Sequence, residues 1–79
     1  MSRRRADIRN LISIHLFRRG WTDADLARLT GLARSRINRL KNHRITPTLR
    51  DALLISDALS APVEAIFERA APLHEIDAG

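Results

Sequence analysis

The sequence predicts an all-α fold, a single compact domain of five short helices. Apolar residues recur at the three- and four-residue spacing of a helical face, and no stretch alternates like a strand. Glycine and proline residues separate these apolar stretches. A chain of 79 residues has room for one core. The predicted helices, numbered one to five, cover residues 6–19, 22–30, 33–41, 49–59 and 63–69.

Residues at the ends of the predicted helices have the chemistry of helix caps. Gly20 suits the left-handed conformation that commonly ends a helix, here the first one. Thr22 and Thr48 each stand three residues before an aspartate, Asp25 and Asp51, which is the spacing of a capping box. We therefore expect helices two and four to begin at these threonines.

The aromatic and histidine residues favour structural roles over catalysis. Trp21 precedes the cap of the second helix and Leu26 follows it, which are the positions of a hydrophobic staple. His15 lies on the apolar face of the first helix, where we expect a core residue. With His43 and His74 far apart, no spacing indicates a metal site or an acid–base pair. We expect no enzyme activity, metal or cofactor.

Charge is distributed unevenly along the chain. Residues 1–50 carry 13 Arg and Lys against three acids, a net charge of +10, whereas residues 51–79 carry one Arg against six acids, a net charge of −5. A basic face opposite an acidic one is typical of nucleic-acid-binding proteins. The alternative is a solubilising Arg-rich surface, and charge alone does not separate DNA from RNA or from an acidic protein partner.

Cysteine and apolar membrane or secretion segments are both missing from the sequence, and this indicates the cellular compartment. There is no cysteine, which excludes disulfides and thiolate zinc sites. No apolar run approaches the roughly 20 residues that span a bilayer, and the basic N-terminus is not followed by the apolar segment of a secretion signal. We expect a cytoplasmic protein.

The second and third helices, joined through Gly31, are predicted to form a helix-turn-helix. Gly31 supplies the positive φ of the turn, while Ile37 and Leu40 anchor the third helix in the core. Arginine matches guanine and phosphate oxygens, and asparagine matches adenine. The other face of the third helix carries such donors: Arg34, Ser35, Arg36, Asn38 and Arg39.

Further residues extend this pattern along most of the chain. They are Gly20, Thr22, Leu26, Ala27, Gly31, Ile37, Arg39, Asn42, "TPTL" at 46–49, "ISDAL" at 55–59, Val63, Ile66 and Phe67. As a set, over residues 8–67, they resemble the Cro/C1-type (XRE-like) helix-turn-helix domain of bacterial and phage transcription regulators. The resemblance implies a five-helix lambda-repressor-like domain at 6–69, between a basic arm at 1–5 and a C-terminal tail at 70–79.

The resemblance also implies which residues contact double-stranded DNA. The base-reading positions of the family fall on Arg34, Ser35, Asn38 and Arg39. The positions that contact the DNA backbone in the family fall on Asp23, Asn42, His43 and Arg44. We add Thr22 and Arg36 as candidate contacts to the DNA backbone.

Some residues depart from the family pattern. Asp23 stands where the family usually has a phosphate-binding glutamine; because a carboxylate would repel phosphate, we expect Asp23 to cap its helix instead. Ala33 is a weak N-cap, and His43 replaces a glycine but tolerates positive φ better than most side chains. Leu16 and Lys41 replace an Arg–Glu pair, and we expect an apolar contact between them.

By resemblance, the protein is a Cro-like dimeric repressor, or repressor and activator, acting at an operator near a promoter. It would exclude RNA polymerase or touch it. The alternative is a protein-interaction module, an adaptor or antiactivator that uses the same scaffold to bind another regulator. Arg3, Arg4 and Arg5 form either a DNA-contacting arm or a solvated tail.

A dimer needs an interface between its two copies, here called the seam, that lies away from the DNA. We expect this seam in the acidic second half of the chain. The candidate residues are Leu54, Ala58, Val63, Phe67, Leu73 and Ile76, with a place in the monomer core as the alternative for Phe67. Ile14 and Phe17 also fall outside the predicted core faces. They belong to the dimer seam, to a site for another protein partner, or to the core itself, if the core faces are wrongly assigned.

Overall fold

The structure, a computed structural model, describes residues 7–70. Its two strands pair antiparallel, with Asp7 opposite Ala70 and Asn10 opposite Phe67. The described part of the chain is mostly helical, and its two strands bring the described ends together. In chain order the elements are β1 (Asp7–Asn10), α1 (Ile12–Arg19), α2 (Asp23–Thr30), α3 (Arg34–Lys41), α4 (Leu49–Leu59), a 3-10 turn (Val63–Ala65) and β2 (Phe67–Ala70).

The predicted count of five helices is wrong at both ends of the domain. Helices two, three and four are confirmed as α2, α3 and α4. The first helix begins at Ile12, and the residues before it form β1. In place of the fifth helix the chain makes the 3-10 turn and then β2. The expectation that no segment is a strand is wrong as well.

Asn10 explains why the first helix starts late. Its Oδ1 accepts the Ile12 N–H at 3.1 Å, and its Nδ2 donates to the Leu40 carbonyl at 2.8 Å. A side chain that bonds the backbone two residues ahead competes with helix formation at that point. The Leu11 N–H then donates to the Ile66 carbonyl at 2.7 Å, which carries the pairing past the end of β1.

The other end of the domain shows why tertiary pairing replaces the fifth helix. A helix of seven residues is marginal by itself, because nucleation is costly and few bonds follow. Strand pairing with β1 satisfies the same backbone groups and buries Phe67, which is 8% exposed. Glu68 also receives the Arg9 guanidinium across the strands, with Nη2 and Oε2 2.6 Å apart.

The core is aliphatic, as expected for a chain with so few aromatic residues. Phe67 lies in it, which confirms the alternative role considered for this residue and removes it from the exposed surface. Trp21 packs against the core from outside, consistent with a structural role. The buried apolar residues are Ile12, Leu16, Leu26, Leu32, Ile37, Leu40, Ala52, Ile55, Leu59, Ile66 and Phe67.

His15 is buried and joins α1 to the last third of the chain, which confirms the expected core role. Its Nε2 lies 2.9 Å from the Ala65 carbonyl, so that nitrogen donates. Its Nδ1 accepts from Arg19 Nη1 at 3.2 Å. Arg19 also donates to the Leu59 carbonyl at 2.7 Å and lies over the Trp21 ring, 5.7 Å from its centre.

The predicted caps are confirmed. Gly20 ends α1 with a φ of 70°, in the left-handed region. Both capping boxes are complete, with Thr22 and Asp25 at the start of α2 and Thr48 and Asp51 at the start of α4. Within residues 7–70, no helix has the length and apolar character that crossing a membrane requires.

Candidate nucleic-acid interface

The turn between α2 and α3 is built from backbone and threonine hydrogen bonds. Gly31 ends α2 at a φ of 81°, and its N–H donates to the Ala27 carbonyl at 2.8 Å. The Thr30 hydroxyl donates to the Leu26 carbonyl at 2.8 Å and accepts the Leu32 N–H at 3.1 Å. This positive φ was predicted at Gly31, whereas the contribution of Thr30 was not.

α3 has the two faces that its sequence predicts. Ile37 and Leu40 are buried beneath it. Ala33, the predicted weak cap, makes no side-chain bond to the start of the helix. The four predicted base-reading residues are all exposed and line one open cleft: Arg34, Ser35, Asn38 and Arg39.

The start of α2 forms the other wall of this cleft. Thr22 is exposed there, but its Oγ1 accepts the Asp25 N–H and its own N–H donates to Asp25 Oδ2 at 2.8 Å. The bond from the Thr22 N–H lowers the pKa of Asp25 below its ordinary value. The ionised Asp25 carboxylate thus caps the N-terminal end of α2, which faces α3 across the cleft. The cleft is lined by Thr22, Asp23, Ala24, Arg34, Ser35, Asn38, Arg39 and Lys41.

Asp23 makes side-chain contacts that differ from the expected cap. Its Oδ1 accepts from Lys41 Nζ at 2.7 Å, and its Oδ2 lies 3.5 Å from Asn38 Nδ2. The capping role belongs to Thr22 and Asp25, so the expectation for Asp23 was wrong. Lys41 accordingly has an ionic partner on α2, which the sequence interpretation did not consider.

Arg36 points away from the cleft and joins α3 to α4. Its Nε and Nη2 donate to the two carboxylate oxygens of Asp51, at 2.8 and 2.6 Å. Asp51 is only 2% exposed. The Arg36 bonds, together with the Thr48 N–H, lower the pKa of Asp51 to about 2, and the same pair raises the pKa of Arg36. The Arg36 guanidinium, predicted to contact the DNA backbone, is thus engaged inside the protein.

The end of α3 exposes the other three predicted backbone-contacting residues. His43 has a φ of 60°, as expected for a position where the family has glycine, and its Nε2 lies 3.3 Å from Asn10 Nδ2. The Arg44 N–H donates to the Arg39 carbonyl at 2.8 Å and leaves the Arg44 side chain exposed. Asn42 is exposed beside them. Asn10, not foreseen as part of this region, supports it from β1.

Three arginines at this surface have no ionic partner among residues 7–70, whereas Lys41 in the cleft is paired with Asp23. Among residues 7–70, the ion pairs use Arg9, Arg28, Arg36 and Lys41. Arg34, Arg39 and Arg44 are in none of these pairs, and all three are exposed. Three free guanidinium groups along one helix and the turn after it form a surface that attracts polyanions.

The predicted seam residues have different environments. Leu54, Ala58 and Val63 are half-buried against the core, and Phe67 is buried within it. Leu73 and Ile76 lie outside the described residues, as do Arg3, Arg4 and Arg5. Among the described residues, the exposed large apolar side chains are Ile8, Ile14, Phe17, Leu29, Leu49 and Leu53, and Phe17 is 87% exposed.

The described residues offer no built metal site. No three His, Asp or Glu side chains within residues 7–70 lie close enough together to hold an ion.

A comparison with protein families agrees with this geometry. The model of a helix-turn-helix family, of the XRE/Cro/C1 type, matches residues 16–66, more than half of the chain. The chain belongs to this family of DNA-binding transcription regulators. No curated protein matches the chain.

Proposed function

We propose that this protein is a sequence-specific regulator that binds double-stranded DNA with α3 in the major groove. The observation that carries the proposal is the exposed row of α3 side chains, Arg34, Ser35, Asn38 and Arg39, opposite the buried Ile37 and Leu40. A helix of this width fits the major groove, where each base pair presents a distinct pattern of donors and acceptors.

The proposed complex has two kinds of contact, those to base edges and those to phosphates. Arg34 and Arg39 read base edges, with Ser35 and Asn38 between them. Thr22 at the start of α2 and Asn42, His43 and Arg44 after α3 hold the phosphates, which fixes position without reading sequence. Arg36 is left out, because its guanidinium is bonded to Asp51.

We further propose that the protein acts in the cytoplasm as a homodimer and by occupancy, without catalysis. One α3 of eight residues reads only a few base pairs, too few to define a site in a genome. Two copies related by a two-fold axis would read successive major grooves about 34 Å apart. Placing the seam on α4 and the 3-10 turn, near Leu54, Ala58 and Val63, keeps the acidic half of the chain away from phosphate.

A bound dimer of this kind represses by covering a promoter, or activates by touching RNA polymerase. The rival function is a protein adaptor on the same scaffold, which the exposed Phe17 and Ile14 on α1 favour, because apolar side chains this exposed are typical of protein contacts.

Salt-dependent binding separates the two functions. We expect the protein to bind random duplex DNA with an affinity that falls steeply as salt rises, since each phosphate contact releases a counterion. Footprinting on DNA upstream of its own coding region would then show a protected, two-fold symmetric site. A protein with no measurable affinity for duplex DNA at low salt would instead be an adaptor.

A further inference from the structure

A carboxylate lies in the wall of the cleft that we assign to DNA. Asp23 is the first residue of α2, and its side chain is about one-fifth exposed in a pair with Lys41 from the last turn of α3. Their 2.7 Å contact fastens the start of one helix to the end of the other. The lysine charge also offsets a carboxylate that would otherwise repel phosphate.

The second carboxylate oxygen of Asp23 faces the amide of Asn38. Asn38 Nδ2 lies 3.5 Å from Asp23 Oδ2, with the amide as donor and the carboxylate as acceptor. The contact is long for a hydrogen bond. A carboxylate only accepts hydrogen bonds, so the nitrogen and not the oxygen of the amide turns towards it. On the other side, Asn42 Nδ2 donates to Asn38 Oδ1 at 3.3 Å.

These contacts hold the Asn38 amide in one of its two orientations. The amide has two N–H donors and two oxygen lone pairs, and the internal contacts take one of each. One donor and one acceptor therefore remain, in a set order along the helix. An asparagine reads adenine by donating to N7 and accepting from N6, so the order of donor and acceptor decides which base edge fits.

We propose that Asp23 is a specificity-determining residue, which acts through Asn38 by fixing how that amide meets the bases. This inference rests on the function proposed above. Asp23 itself is a positioning residue and need not touch DNA. Lys41 allows the carboxylate to stand in the cleft, because it supplies the opposite charge from within the protein.

The test uses base preferences at an operator selected from random duplexes with the unaltered protein. Relative affinities for all four base pairs are measured at each operator position, and Asn38→Ala identifies the base pair that Asn38 reads. Asp23→Asn keeps the shape of Asp23 but presents both oxygen and nitrogen, so Asn38 is no longer held one way. We expect the preference at that base pair to fall about tenfold, the value of a well-formed bidentate contact.

Three further proteins make this result specific to Asp23. The double variant of Asp23→Asn with Asn38→Ala should lose no more preference than Asn38→Ala alone, because both changes remove one contact. Lys41→Met should weaken binding to every sequence yet keep the preference, since Asp23 still faces Asn38. Asp57→Asn removes an equal charge from the exposed side of α4, away from the cleft, and should leave the base preferences unchanged.

Each contrary result has a distinct meaning. If Asp23→Asn raises affinity for all sequences equally and leaves the preferences intact, Asp23 is only a repelling charge and the inference is wrong. An equal loss on all sequences, with preferences kept, would give Asp23 a purely structural role and also overturn it. If the unaltered protein prefers no base pair at any position, the proposed function itself fails, whatever the variants do.

Discussion

We propose that direct base reading depends most on Arg39. It is exposed, it lies in the cleft beside Asn38, and it belongs to none of the ion pairs within residues 7–70. A free guanidinium on a recognition helix has the fork geometry that matches guanine O6 and N7.

Arg39→Ala should therefore weaken binding to the selected operator by about 1–3 kcal/mol. Binding to unrelated duplexes should weaken much less, since only one phosphate-attracting charge is lost. Titrations of labelled operator and of scrambled DNA give both values. Arg18→Ala, which removes an exposed arginine from α1, is the matched control. Equal losses on the two DNAs would make Arg39 a phosphate contact.

Arg44 follows α3 and is exposed, and we propose that it contacts the DNA backbone. We expect Arg44→Ala to reduce affinity for all sequences by a similar factor and to lower the slope of log affinity against log salt by about one. The measurement is a salt titration on operator and random duplexes, again with Arg18→Ala as the control. A slope equal to that of the unaltered protein would remove Arg44 from the interface.

Asp51 makes the stability of the fold depend on pH. Its pKa of about 2 in the folded protein lies below its ordinary value of 3.8, so the ionised form stabilises the folded state. This stabilisation, about 2 kcal/mol, is complete above about pH 5 and is lost as pH falls through 2. Urea unfolding at several pH values should show the decline.

Asp51→Asn should flatten that decline and lower the stability at neutral pH, because Arg36 loses its charged partner. Asp57→Asn, on the exposed side of the same helix, should leave the pH dependence in place. If Asp51→Asn leaves the same decline between pH 5 and 2, other carboxylates cause it.

At the scale of elements, local signals predicted the middle of the domain and failed at its ends. Capping boxes and Gly31 determine α2, α3 and α4 from residues close in sequence. The strands β1 and β2 have four residues each and lie at opposite ends of the domain, so neither shows an alternation that sequence reading can detect. Only their pairing, which is a tertiary interaction, makes them strands.

In the candidate site, too, the sequence predicts the local features but not the tertiary contacts. Exposure of Arg34, Ser35, Asn38 and Arg39 follows from helical periodicity, which the sequence contains. The contacts of Arg36 with Asp51 and of Lys41 with Asp23 join residues 15 and 18 positions apart, through packing that periodicity does not specify.

Asn10 provides the test of how the ends are held. Asn10→Ala removes the bonds to the Ile12 N–H and to the Leu40 carbonyl, which join β1, α1 and α3. We expect a loss of about 1–2 kcal/mol in unfolding free energy, because two part-buried hydrogen bonds are lost. Arg9→Ala, which breaks an exposed ion pair, should cost less than 1 kcal/mol. Denaturant unfolding measures the loss for both variants. Equal losses would contradict the inference that the side chain of Asn10 holds β1 against α1 and α3.

At the scale of the whole molecule, charge and exposed donors coincide. The half of the chain with a net charge of +10 contains α2, α3 and the turn that follows, and the acidic half begins at Asp51 in α4. We expect this arrangement to orient the domain on DNA with α4 and β2 away from phosphate. A dimer seam on that side would place two α3 helices on one face of the duplex.

Selection of binding sites from a pool of random duplexes tests the central claim, that α3 reads base sequence, most directly. We predict enrichment of a two-fold symmetric site, with half-sites about 10 base pairs apart and an affinity at least about 10³-fold above that for random DNA. Replacing Arg39 should abolish the preference at specific positions of each half-site. A pool that stays random after repeated selection, while the protein binds every duplex equally, would contradict the claim.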